Sequence, residues 1–313
     1  MDEKREKNNN MIAIWGLGSS GSRYKNIAND LGYTTKILKR QDNGDSFDFD
    51  ELDLSEIEAA IICTPTVFHK EQSIKFLENK IPVLCEKPIA HTYQDGREII
   101  KVATENNTKF MVGYNQRYYA SYKKFQEARW GKPIYAESVW SELVSGWHPH
   151  EDYRESYAVR PDLGGGVPLT LSHDFDWWTG LFGDLNVLSV HHSTGALDVD
   201  IPTSYDIVLD NQDSSVQVRM HLDYEGMPPK RYYKVEYEKG ELFYDPLKAE
   251  CMFIDKAGKE ENILIPAFDH ERRSSFVNTF IKFMHDEKTP NELSDWELGL
   301  TALEIADTVE NWK

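Results

Sequence analysis

Met11-Ile12-Ala13-Ile14-Trp15-Gly16-Leu17-Gly18-Ser19-Ser20-Gly21 is the stretch whose reading decides the fold. Its first half is a short, unbroken apolar run, the pattern of a strand buried on both faces of a parallel sheet. Tyr24 to Leu31 then reads as a helix, which Gly32 stops. The glycine string therefore lies between a strand and a helix. In that context Gly16 allows a tight turn, Gly18 lets the backbone approach a pyrophosphate, and Gly21 lets helix and strand pack closely. Ser19 and Ser20 complete the loop, and the helix N-terminus offers unpaired N–H groups to an anion. The competing reading is a glycine-rich turn with no ligand, and the flanking elements weigh against it.

The next strand, Thr34-Thr35-Lys36-Ile37-Leu38, normally ends on the residue that chooses a dinucleotide. An Asp or Glu there accepts from the ribose 2′-hydroxyl of NAD. This chain offers Lys39 and Arg40 instead. A guanidinium grips a 2′-phosphate with paired hydrogen bonds, so Arg40 favours NADP. Asp42 is close enough to keep NAD open, and both cations also read as ordinary surface charges.

Strand and helix keep alternating. Ala59 to Cys63 is a buried-strand run, ended by Thr64-Pro65-Thr66. His69 to Asn79 reads as a helix, Pro82 to Cys85 as a strand, Gln94 to Asn106 as a helix, and Phe110 to Gly113 as a strand. This is the rhythm of a Rossmann-type doubly wound parallel sheet over residues 11–120. Residues 1–10 are polar and charged and read as a disordered tail, with no secretory signal.

After about Tyr119 strands follow strands. Ser215 to Tyr224 alternates, with Val216, Val218, Met220 and Leu222 on one face. Arg231 to Tyr237, Glu241 to Tyr244, Cys251 to Ile254 and Ile263 to Ile265 continue the pattern. Helices around Ser274 to His285 and Ser294 to Trp312 close the chain. Residues 121–313 thus read as an α+β domain with a largely antiparallel open sheet, expected to bind substrate and to join subunits into a homodimer or homotetramer.

Composition narrows the function classes. With 313 residues there is room for two domains sharing a cleft. A formal net charge of −18 disfavours nucleic-acid and membrane-surface binding. No apolar stretch is long enough to span a bilayer. Cys63, Cys85 and Cys251 show neither metal-ligand nor disulfide spacing, so a reducing, cytoplasmic compartment is expected. His148 and His150 give no closed metal site.

Glu86-Lys87-Pro88 follows the strand at Pro82–Cys85, at the carboxyl end of the sheet where ligands bind. A lysine there can donate to a substrate oxygen and offset developing negative charge during hydride transfer. Further on, Gly164-Gly165-Gly166-Val167-Pro168 opens a helix in which Thr170, His173 and Asp176 would share one face. His173 suits proton exchange with an alcohol, or equally packs against a neighbouring carboxylate. Tyr153, Arg154 and Arg160 are candidates to hold a substrate anion, or else to make surface ion pairs. Trp147 is a candidate sugar wall.

These strings resemble, in order and spacing, the Gfo/Idh/MocA family, the glucose–fructose oxidoreductase and inositol dehydrogenase group. They are the glycine loop, Cys63-Thr64-Pro65-Thr66 with His69, Glu86-Lys87-Pro88, Gly113-Tyr114-Asn115-Gln116-Arg117-Tyr118 and the triple glycine with His173. Asp152-Tyr153-Arg154-Glu155-Ser156-Tyr157 looks like members tied to surface-polysaccharide and sialic-acid-like sugar pathways. The resemblance implies hydride exchange between a sugar-like carbinol and NAD(P). Under it Lys87 meets substrate and nicotinamide, and His173 is the acid/base. Thr64, Pro65, His69 and Glu86 lie near the cofactor, and Asn115 and Arg117 near the cleft. Where relatives carry an aspartate a turn before the histidine, this chain has Thr170, which cannot ionise at neutral pH. His173 then works alone, or Asp174 or Asp176 orients it, or the chain is a catalytically degraded dinucleotide sensor or assembly partner.

Overall fold

A computed structural model describes residues 10–38, 49, 52–148, 150–213, 215–285 and 296–313. Lys39, Arg40 and Asp42, which carry the cofactor preference, lie outside the described residues, as does the tail up to residue 9.

The first part builds β1 (Met11–Trp15), α1 (Ser19–Asp30), β2 (Thr34–Leu38), β3 (Ile57–Ile62), α2 (His69–Glu78), β4 (Val83–Cys85), α3 (Tyr93–Glu105) and β5 (Phe110–Val112). All pair in parallel in the order β2-β1-β3-β4-β5. Ile12, Ala13, Ile14, Ile61, Val83 and Leu84 are fully buried, which is why these strands read as apolar runs and not as alternating ones. The helix after the glycine loop starts at Ser19, earlier than its apolar residues suggest, because Gly18 occupies the N-cap.

The second part contains α4 (Ala120–Phe125), β6 (Pro133–Ser141), α5 (Val167–Thr170), α6 (His173–Phe182), β7 (Leu185–Ser193), β8 (Ser204–Asn211), β9 (Gln217–Asp223), β10 (Lys230–Tyr237), β11 (Gly240–Asp245), β12 (Glu250–Asp255), β13 (Glu260–Asn262), α7 (Phe268–His285) and α8 (Trp296–Glu310). Its strands form a sheet in the order β13-β12-β11-β10-β6-β9-β8-β7. Every pair is antiparallel except β6 with β9. The expected strand at Ile263–Ile265 is displaced to Glu260–Asn262, whose side chains are all exposed. Apolar content could not reveal such an edge strand.

Helix α6 lies on the inner face of this sheet. Trp177 is fully buried and stacks on Tyr233 with ring centroids 4.1 Å apart. Trp178 donates its indole N–H to Ser138 Oγ at 3.0 Å. Truncating a core tryptophan of this kind costs about 3–5 kcal/mol. Helix α7 turns back onto the first sheet: Phe276, Phe280 and Phe283 share one apolar cluster with Ile12, Ile14, Tyr24 and Ile27. The ends of the parallel strands meet α5, where Lys87 Nζ reaches the Thr170 carbonyl oxygen.

Candidate active site

The glycine loop is shaped by close contacts on two of its three glycines. A Cβ on Gly16, at φ +92°, would lie 2.6 Å from the Cys63 carbonyl oxygen, and one on Gly21 would lie 2.1 Å from the Gly16 carbonyl oxygen. Gly18 differs: among the described residues, its chain neighbours aside, no atom comes within 4 Å of such a Cβ. The chain's own packing does not demand glycine there. Gly18 is exposed, and no side chain caps the α1 N-terminus. An open backbone surface beside uncapped N–H groups fits a pyrophosphate.

Around this loop, Thr64 Oγ1 donates to Gln72 Oε1 at 2.6 Å. His69, 1 % exposed, lies between two backbone oxygens, Pro88 O and Thr64 O, each 2.9 Å from a ring nitrogen. It ties the Thr64–Pro65 turn to the Glu86–Lys87–Pro88 turn. Burial pushes its imidazole below the usual range, so the neutral ring donates to one of the two carbonyls.

Lys87 follows β4, and its bond to Pro88 is cis. Its Nζ donates to the Thr170 carbonyl oxygen at 2.6 Å, reaching from the parallel-strand ends to the last residue of α5. Burial pushes the ammonium down to about 8; Glu86 opposes this and Arg231 adds to it. Glu86 is pushed up to about 7 by burial, with Lys87 pulling the other way. Its Oε1 is buried without a hydrogen-bond partner.

The helix expected to carry Thr170, His173 and Asp176 on one face is broken. Leu171 and Ser172 separate α5 from α6, so the three-residue spacing no longer aligns them. Pro168 does sit in the first turn of α5. His173 starts α6, 9 % exposed, its ring edge-on to Tyr114 at 5.6 Å. Its Nδ1 is buried without a hydrogen-bond partner. Burial first, then the charges of Lys87, Arg231 and Arg272, hold its imidazole well below the usual histidine range.

Neither carboxylate after His173 orients it. Asp176 is bound to Arg117, with Nε donating to Oδ2 at 2.8 Å and a second guanidinium nitrogen 2.8 Å from Oδ1. Both are 1 % exposed, so Arg117 is a buried brace between the residues after β5 and α6, not a cleft residue. Asp174 Oδ1 instead accepts from the Tyr233 hydroxyl at 2.6 Å. The expected roles of Asp176 beside His173 and of Arg117 toward substrate are both corrected by this pairing. Asn115 lies next to the brace and is 4 % exposed. Thr170, 5 % exposed, has its Oγ1 buried without a hydrogen-bond partner of its own, beside the hydroxyls of Tyr157 and Tyr224.

Arg154 makes the surface ion pairs that were its alternative reading. It is exposed and held by Asp152 at 2.6 Å and Asp198 at 3.3 Å, while Arg160 is held by Asp162 and Glu155. Tyr153 turns its hydroxyl to the Asp198 N–H at 3.2 Å. Trp147 packs edge-on against Tyr224 at 5.4 Å, its indole N–H buried and unpartnered. Two side chains outside the sequence-based candidates act on this group, Tyr157 on Thr170 and Arg231 on Lys87 and His173. The signal for Arg231 was present: Arg231, Tyr233, Val235 and Tyr237 alternate as the buried face of β10, and a cation in phase with a buried face is out of place.

The glycine loop and Lys87 stand at the strand ends of a Rossmann-type parallel sheet, and the comparisons agree with that fold. Residues 7–114 match the model of the oxidoreductase family with an NAD-binding Rossmann fold. Over this domain the chain is similar to the Gfo/Idh/MocA family. An uncharacterised oxidoreductase of Streptococcus pneumoniae is 44% identical over 136 residues, covering 42% of this chain and 35% of that protein. The 2,7-anhydro-N-acetylneuraminate hydratase of Escherichia coli is 29% identical over 135 residues, covering 41% and 34%. The chain thus aligns with about a third of the length of these curated relatives. Levoglucosan dehydrogenase in complex with NADH superposes with a TM-score of 0.82 at 14% identity, covering 96% of this chain and 95% of that one, a likeness of fold. No described helix is long and apolar enough to cross a membrane.

Proposed function

We propose that this chain is an NAD(P)-dependent oxidoreductase that exchanges a hydride with a carbinol or carbonyl carbon of a sugar or sugar derivative. The observation that carries the reading is the Lys87 ammonium, which spans from the parallel-strand ends to Thr170, the last residue of α5, three residues before His173. Gly16, Gly18, Ser19, Ser20 and Gly21 would hold the pyrophosphate, with Thr64, Pro65 and Glu86 beside it. When bound, the nicotinamide supplies or accepts the hydride. The chain's own part is acid–base and electrostatic. Lys87 donates to the reacting oxygen and offsets the negative charge that builds there. His173 takes the hydroxyl proton during oxidation and returns it during reduction. With no carboxylate on its ring, His173 relies on position alone. Arg40 favours NADP as the partner nucleotide. The half-buried outer face of the second sheet is proposed as the contact between subunits.

The test begins with titration of the protein with NADPH and NADH, followed by energy transfer from tryptophan. NADPH binding tighter by about tenfold supports the Arg40 assignment. Lys87→Ala is then expected to lower turnover about 10²–10⁴-fold with dinucleotide affinity unchanged. Near-normal turnover in that variant would sink the assignment of Lys87. A hydratase among the relatives makes net redox-neutral turnover the natural second assay, with reduced and oxidised cofactor quantified before and after reaction.

A further inference from the structure

We propose that the substrate carries a carboxylate, and that the buried guanidinium of Arg231 receives it. The inference rests on the hydride-transfer reading of the same site and deepens it. Arg231 is 8 % exposed. One guanidinium nitrogen donates to the Tyr233 hydroxyl at 3.2 Å, and the guanidinium carbon lies 3.6 Å from the centroid of the Trp140 ring. Nε is buried and has no hydrogen-bond partner. No described carboxylate pairs with it within 4 Å, although the chain carries an excess of 18 negative charges. Aromatic faces and a phenol are weak compensation for a buried cation.

The internal carboxylate that acts on Arg231 is Asp174, whose charge favours the guanidinium but which makes no ion pair with it. The Tyr233 hydroxyl stands between them, donating to Asp174 at 2.6 Å, and burial pushes the Asp174 carboxyl toward its neutral form. Arg231 meanwhile acts on the reacting groups, since its charge helps to push down both Lys87 and His173. An anion seated on Arg231 would therefore lie within electrostatic reach of both. It would also relieve His173 of a cation that opposes protonation, so the substrate's own charge would make the base stronger.

Carboxylate is the better match than phosphate. With one hydrogen of Nη2 turned to Tyr233, the unpartnered Nε–H and the second Nη2 hydrogen suit a planar, singly charged, two-oxygen group. A dianion would bring a second charge that Arg231 alone cannot balance. Surface Arg154 and Arg160 are already paired with carboxylates, so they do not compete for this role.

The experiment is isothermal titration of the complex with NADPH or NADH, whichever binds the tighter, with D-glucuronate and D-galacturonate, their neutral parent hexoses, and D-glucose 6-phosphate. At least one uronate is expected to bind about tenfold or more tighter than its parent hexose. Arg231→Gln should erase that preference while leaving dinucleotide affinity unchanged. Arg231→Lys, which keeps the charge but loses the fork, should retain part of it and serves if the glutamine variant does not fold. Equal binding of acids and parents overturns the proposal, as does a preference for the phosphate, a preference that survives in Arg231→Gln, or failure of both uronates to bind. Failure of the wild-type protein to bind any dinucleotide is a separate result, which would remove the oxidoreductase reading itself.

Discussion

Lys87 is a donor only while it is an ammonium. In the fold that form is lost as pH rises through about 8, where free lysine would remain charged to about 10.5. Desolvation opposes the charge and Arg231 repels it, and Glu86 recovers only part of the loss. The rate should therefore fall with a one-proton slope above about pH 8, because the deprotonated amine cannot stabilise an oxyanion. Lys87→Arg, which stays charged, is expected to have low activity with no alkaline limb. A limb that persists unchanged in that variant would assign it to another group. Lys87 was legible in the sequence because a short motif after an apolar strand fixes its place at the sheet end. The place of His173 at the start of a helix was legible from the preceding glycines and Pro168. Asp176 and Arg117 were misread because both look functional by type, and only the three-dimensional pairing shows that each satisfies the other. Such a pair, 1 % exposed on both sides, is broken only at high cost, about 3–5 kcal/mol when one partner is removed.

Elements set what these residues can reach, and here the glycines make separable predictions. Gly21→Ala forces a Cβ to within 2.1 Å of the Gly16 carbonyl oxygen, so loop and helix must move apart. The variant should lose stability, read as a lower Tm, and bind dinucleotide poorly as a consequence. Gly18→Ala meets no atom of the described residues within 4 Å, its chain neighbours aside, so its Tm should match wild type. Its dinucleotide affinity should nevertheless fall by about tenfold or more, because the added methyl stands where the pyrophosphate approaches. A wild-type affinity in Gly18→Ala would show that the ligand does not lie against this backbone. The parallel strands and their helices were legible because burial on both faces leaves continuous apolar runs. The break between α5 and α6 was not, since Leu171 and Ser172 are compatible with a helix and the chain's turn there is set by tertiary packing: Leu171 and Ser172 are both buried. Strands β6, β7 and β8 escaped for a related reason. Their exposed positions carry polar and aromatic residues alike, so period-two alternation is weak against the surrounding loops.

Across the whole molecule the two faces of the second sheet are treated differently. The inner face is closed by α6, with Trp177 and Trp178 against Tyr233. The outer face is left with Tyr135, Val139, Val208, Tyr232, Phe243 and Met252 half-buried. Tyr232 and Phe243 stand 5.6 Å apart on neighbouring strands, and Lys234 and Arg219 approach the Tyr135 ring at 5.8 and 5.9 Å. No described helix of this chain covers that surface, since α7 packs its phenylalanines against the first sheet. A broad sheet face with aromatics among mixed charges suits a self-complementary contact, in which each subunit's cations meet the other's carboxylates around an apolar centre. The mass in solution, by light scattering on the eluting protein, should be a multiple of the 36.2 kDa chain. Phe243→Glu places a charge at the centre of the proposed contact and should shift the species toward the monomer, with dinucleotide affinity intact because the glycine loop lies on the other sheet. A wild-type protein that elutes at the mass of one chain would exclude the contact. An oligomer undisturbed by Phe243→Glu would move it to another surface and leave the outer face to be explained by a different partner.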